Sequence, residues 1–246
     1  MSLPPVVGHR GAAAYAPENT LESIRKAAEL GAPAVEVDVM LTADGQPVLF
    51  HDDLLDRTTD GSGPMAEHTL AEIETLDAGA WFSPSFRGVR IPRLAEALEL
   101  ALDLGLRLNL EIKPSPGQDV ETTMATGAAV DRLWPRDLTP PLISSYSQLA
   151  LETARARNPS LPRAILYRSG RVGDWIAAAE PLGTVAIHAI EGLLRPAAIR
   201  AIKDAGFLCG AFTVNTTTRA RVLRNSGVDY VFTDMPDRIL GAFARS

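Results

Sequence analysis

The sequence is poor in several features that would place it in a common class of protein. Among its 246 residues there is a single cysteine, Cys209. An intrachain disulfide is therefore excluded, and a reducing compartment is the simpler setting. Flanked by Phe207 and Leu208, that thiol reads as part of the core. No run of about 18 or more apolar residues is present to span a bilayer. No basic amphipathic helix suggests stable membrane association either. Basic residues never follow one another for more than two positions, and 24 Lys and Arg stand against 30 Asp and Glu, a net charge of -6. Clustered positive charge is what nucleic-acid backbones require, so nucleic acid is not expected as a partner. The stretch from Met1 to Gly8 lacks the basic and apolar segments of a secretory leader, and the expected location is the cytoplasm.

What is present is a steady alternation of short apolar runs with helical spacing. Pro5-Val-Val-Gly8 reads as a first strand. Asn19 or Thr20 is the candidate N-cap of a helix carrying Leu21, Ile24, Ala27, Ala28 and Leu30, which Gly31 ends. Ala34 to Leu41 reads as a second strand, and Asp44-Gly45 turns it into a hairpin. Residues 53–92 are irregular and read as an insertion whose Trp81, Phe82 and Phe86 are expected to pack on the rim and narrow a pocket. Beyond Pro92 come strands at 106–112, 141–146, 163–167, 184–188, 207–214 and 230–233, with helices between them. Setting the hairpin aside, about eight strand-helix units result. They predict a (βα)8 TIM barrel, one domain over residues 1–246. The runner-up, an open doubly wound sheet, lacks its G-x-G-x-x-G loop, since Gly8-His9-Arg10-Gly11 is too short and too polar to serve.

In such a barrel, reacting groups sit at the C-terminal ends of the strands. His9 and Arg10 follow the first strand, Glu36 and Asp38 share one face of the second, His51 ends the hairpin, and Glu111 and Lys113 end the next strand. Two carboxylates in an otherwise apolar strand are costly unless a cation holds them together. Three carboxylates without cysteine point to one hard divalent cation, Mg²⁺ or Ca²⁺; zinc would gain ground if a histidine were a ligand. Arg10 and Lys113 add positive charge, which suits an anionic phosphodiester better than a neutral sugar. The two histidines then divide proton transfer to and from a nucleophile and a leaving alkoxide.

At these positions the chain resembles the glycerophosphodiester phosphodiesterases. The likeness rests on His9-Arg10-Gly11, Pro17-Glu18-Asn19-Thr20, Glu36-Val37-Asp38, Asp44-Gly45 leading to His51-Asp52, Glu111-Ile112-Lys113-Pro114, Ser144-Ser145-Tyr146, Thr213-Val214-Asn215 and Thr233-Asp234. Cytoplasmic bacterial members share stretches like Thr139-Pro-Pro-Leu and Lys203-Asp-Ala-Gly. The resemblance implies a barrel, a divalent metal, and hydrolysis of small glycerophosphodiesters to sn-glycerol 3-phosphate and an alcohol. It implies an acid-base role for His9 and His51, metal ligation by Glu36, Asp38 and Glu111, and phosphate contacts by Arg10 and Lys113. Tyr146 and Phe212 stand where the family often has Phe and Trp, which leaves the choice of alcohol open. His188, expected at a later strand end, is a candidate substrate contact, with a structural role as the alternative. A lyase on the same barrel and a barrel that only binds phosphoesters are the alternatives.

Overall fold

The computed structural model describes residues 3–243. Strand β1 (Val6–Gly8) is followed by helix α1 (Leu21–Glu29), strand β2 (Ala34–Leu41) and strand β3 (Pro47–Leu49). After a long connection containing the short helix α2 (Leu70–Ile73) come α3 (Leu94–Asp103), β4 (Arg107–Ile112), α4 (Asp119–Leu133), β5 (Leu142–Ser145) and α5 (Gln148–Arg157). The last units are β6 (Arg163–Tyr167), α6 (Val172–Leu182), β7 (Ala186–Ile190), α7 (Pro196–Asp204), β8 (Leu208–Phe212), α8 (Thr217–Asn225), β9 (Tyr230–Thr233) and α9 (Pro236–Phe243). Eight strands are parallel in the order β1-β9-β8-β7-β6-β5-β4-β2, and β1 pairs with β2 through Gly8 and Val35 to close the ring. The fold is a (βα)8 TIM barrel, with β3 antiparallel on the outside of β2.

Strand period fixes what faces inward. All eight residues of β2 are buried, yet they divide by parity. Val35, Val37 and Val39 join Leu94, Leu98 and Ile24 in the layer between strands and helices. Glu36 and Asp38 therefore face the lumen, opposite Asn109 and Glu111 of β4. Lower in the lumen, Val7, Ala34, Leu142, Ala164, Ala186 and Tyr230 form an apolar floor. The polar groups thus sit at one level, above packed carbon.

Three local expectations are settled by contacts the sequence does not display. Thr20, not Asn19, caps α1, its Oγ1 accepting from Ser23 N at 3.2 Å. Strand β7 begins two residues later than predicted, because the Thr184 hydroxyl is spent on Ala179 O at the end of α6. His188 consequently lies inside the strand and faces the lumen instead of ending it. The insertion also packs differently. Met40, Val48, Phe50, Leu55, Met65, Ile73, Ala78 and Ile91 make its core. Trp81, Phe82 and Phe86 stack edge to face on one another, at 5.7 and 5.6 Å, with Trp81 40% exposed. None of these three lines the central cavity, so the expected narrowing of the pocket is not found.

Candidate active site

The C-terminal strand ends surround a cavity of about 460 Å³ lined on one side by His9, Arg10, Glu36, Asp38, His51 and Glu111. At the end of β1 the chain turns sharply. Gly11 has φ of +87°, and a Cβ there would stand 2.0 Å from Ser23 Oγ. Arg10 is itself left-handed, with φ of 51°, and this aims its N–H at Glu36 Oε2, 2.9 Å away. The backbone turn thereby holds a carboxylate.

Each histidine is backed by an acid. His9 Nδ1 lies 2.7 Å from Asp234 Oδ1, and Asp234 is fixed from behind by Asn215 Nδ2 at 2.6 Å. With Nδ1–H donating to the carboxylate, Nε2 is the nitrogen left for chemistry. His51 repeats the arrangement with Asp52 at 2.5 Å, and Asp52 is gripped by Arg57 from the insertion. Lys113 Nζ stands 2.8 Å from His51 Nε2. Burial holds His51 below the ordinary imidazole range, although Asp38 pulls the other way. Burial would raise the Asp52 carboxyl, but Arg57 and His51 hold it down at about 2.

In the same cavity, carboxylate oxygens of Glu36, Asp38 and Glu111 lie within 4.8 Å of one another. Their side chains are 3%, 2% and 8% exposed. Asp38 is the member kept ionised. Burial opposes its charge, but Arg10, His51, Lys113 and a 2.8 Å bond from Asn19 Nδ2 more than compensate. Burial and the charge of Asp38 push Glu111 up to about 8, and burial with both neighbours raises Glu36 well above its usual range. Such a cluster is unstable as three anions and suits a hard cation with oxygen ligands, which supplies the missing positive charge. Three buried carboxylates could hold one metal ion.

The predicted site residues are therefore brought together, with one difference in emphasis. Arg10 Nη1 donates to Glu18 at 2.6 Å and Nε lies 3.4 Å from Asp38 Oδ2, so its guanidinium is already engaged by acids. Burial alone would lower its pKa, but Asp38, Glu18 and Glu36 raise it above the usual value. Asp234, Asp52, Glu18 and Asn19 stand within the matching motifs, but the sequence assigns them no place in the site. Their roles as braces depend on long-range contacts.

A stability prediction follows for protein freed of divalent cations. A carboxyl with a raised folded pKa stabilises below its unfolded value and loses that contribution as pH rises through the folded one. Glu111 loses it between about 4.5 and about 8. His188, which burial lowers to about 3, acts oppositely below pH 6.5. Between pH 6.5 and 8 the carboxylates act unopposed. Stability should fall by about 2 kcal/mol, a Tm loss on the order of 5 °C. Thermal melts in chelator check this, and added Mg²⁺ or Ca²⁺ should remove the slope.

Comparison with known proteins agrees with this geometry. The model of the glycerophosphoryl diester phosphodiesterase family matches residues 9–238. A glycerophosphodiester phosphodiesterase of Caldanaerobacter subterraneus subsp. tengcongensis is 34% identical over 239 residues, 96% of each chain. One from Bacillus subtilis is 32% identical, covering 94% of this chain and 83% of its own. Among solved structures, an Oleispira antarctica phosphodiesterase in complex with the product sn-glycerol-3-phosphate superposes with a TM-score of 0.94 at 41% identity, covering 98% of this chain and 96% of that one. The relatives carry this enzymatic activity in their names over nearly the full length. On fold, motif order and sequence identity together, the chain belongs to the glycerophosphoryl diester phosphodiesterase family.

Proposed function

We propose that the chain hydrolyses small glycerophosphodiesters, the deacylated remains of phospholipids, to sn-glycerol 3-phosphate and an alcohol. One divalent cation, Mg²⁺ or Ca²⁺, is held by Glu36, Asp38 and Glu111. The observation that carries this reading is the convergence of three buried carboxylates and two acid-backed histidines on one cavity. When bound, the cation supplies a Lewis acid for a phosphoryl oxygen.

The remaining work falls to the chain's own side chains. The Lys113 ammonium stands 2.8 Å from His51 Nε2. An arriving phosphodiester offers Lys113 an oxyanion, and His51 Nε2 becomes free to take a proton. Burial keeps that imidazole neutral, as a general base must be. Arg10, fixed by Glu18 and Asp38, presents its positive charge to the phosphate from a constant position. His9, with Asp234 behind it to stabilise an imidazolium, gives the proton to the leaving alkoxide. The same groups serve attack by water or by the substrate's glycerol hydroxyl.

A substrate without acyl chains is met in water, in keeping with the cytoplasm as the site of action. Among the described residues no helix is long and apolar enough to cross a membrane. Phosphorus NMR of glycerophosphocholine incubated with the protein and Mg²⁺ tests the reading. The sn-glycerol 3-phosphate resonance should grow as the diester disappears. A cyclic phosphate that accumulates as the end product would make the chain a lyase, and an unchanged diester spectrum would refute the proposal.

A further inference from the structure

The central cavity contains a cation that, among the described residues, no acid claims. Arg168 follows β6 and lies exposed at the cavity mouth. Its Nε donates to Tyr146 Oη at 2.7 Å, and its guanidinium carbon stands 4.7 Å from the centroid of the Tyr146 ring. Among the described residues that is its only hydrogen bond, and no carboxylate pairs with it. Arg10, which also lines the cavity, is engaged by Glu18 and Asp38, and Lys113 nearby stands at His51. Glu191, a carboxylate lining the same cavity, is held by Arg219. Both terminal nitrogens of Arg168 are thus left for a ligand. Its charge also reaches the carboxylate cluster, where it is among the groups that oppose the upward push on Glu111.

We propose that Arg168 selects the alcohol half of the diester, favouring alcohols that present hydroxyl or carboxylate oxygens over those that end in a quaternary ammonium. This rests on the phosphodiesterase reading and names the substrate class within it. The phosphate must sit over the buried carboxylates at the base of the cavity. The glycerol half is constant in size, whereas the alcohol half varies and needs the open mouth, where Arg168 stands. A guanidinium fork donates well to paired oxygens. A choline nitrogen has no proton to donate and meets a like charge. The attraction that an aromatic face offers such a cation is also lost, since the Arg168 guanidinium already covers the Tyr146 ring. Tyr146 is itself set edge-on to Phe212 at 6.3 Å, which holds the platform in place.

The test compares kcat/KM for glycerophosphoglycerol, glycerophosphoserine and glycerophosphocholine in the wild type and in Arg168→Gln. A charge-assisted contact of this kind corresponds to about tenfold or more, so the wild type should prefer the first two substrates over the third by at least about tenfold. In Arg168→Gln the ratio should collapse to within about threefold, mainly through KM, as expected when a contact equal in ground and transition states is lost. Added salt should shrink the wild-type ratio and leave that of the variant unchanged. Equal use of the choline diester by the wild type, or a ratio that survives Arg168→Gln, would overturn the proposal while leaving the enzyme reading intact. Failure of the wild type to turn over any of the three would overturn both.

Discussion

Replacing His51 by alanine is expected to lower kcat by about 10²- to 10⁴-fold, with a comparable loss in His9→Ala, because in the proposed mechanism each removes a positioned proton carrier. His51 is suited to such a measurement, since its neighbours remain satisfied without it. Asp52 keeps Arg57, and Arg57 keeps Glu18, so the contact between insertion and barrel persists. The Lys113 ammonium loses a neutral partner and gains solvent, a small change at a half-buried site. The fold should therefore survive, and an unchanged melting curve alongside the activity loss separates chemistry from stability. The pH profile adds an independent readout. With His51 as the proposed base, its loss should remove the acidic limb of kcat/KM in His51→Ala. Near-wild-type turnover in either variant would take that histidine out of the mechanism.

Much of this site can be read from the sequence because it is built on strand parity. Glu36 and Asp38 are two residues apart, so a strand puts both on one face, and the valines between and around them show which face is apolar. Glu111 and Lys113 are legible for the same reason, as the end of another strand in the same ring. What stays hidden is the identity of partners. His9 and Asp234 are 225 positions apart and meet only because the first and last strands of the barrel are neighbours. Asn19 looks like a helix cap, yet a backbone φ of 56° turns it toward Asp38 while Thr20 takes the cap. Arg10 reads as a phosphate contact or a brace for Glu36, whereas its guanidinium is engaged by Glu18 and Asp38. The late start of β7 follows from one threonine hydroxyl capping the preceding helix, a side chain-to-backbone choice that apolar periodicity cannot register. Arg168 gives no signal at all, being one arginine before Ser169-Gly170 in a loop.

The second large effect concerns the cation. Glu36, Asp38 and Glu111 are buried with too little positive charge around them for three anions, and two of the three are pushed toward the protonated form. Neither protonated nor ionised can they neutralise an anionic phosphodiester, which only a cation held by them would do. A Lewis acid in their midst is worth several kcal/mol of transition-state stabilisation, so its removal should cost at least about 10²-fold in rate. Arg10 and Lys113 do not substitute for it. The first is engaged by Glu18 and Asp38, and the second carries a single charge at His51.

The measurement that bears most directly on the whole account is the rate of sn-glycerol 3-phosphate release from a glycerophosphodiester, followed in EDTA-treated protein as Mg²⁺ or Ca²⁺ is titrated back. Release should be nearly absent after chelation and rise to saturation with the added cation, and the restored rate should be lost in His51→Ala. Full release in the presence of EDTA would contradict the account.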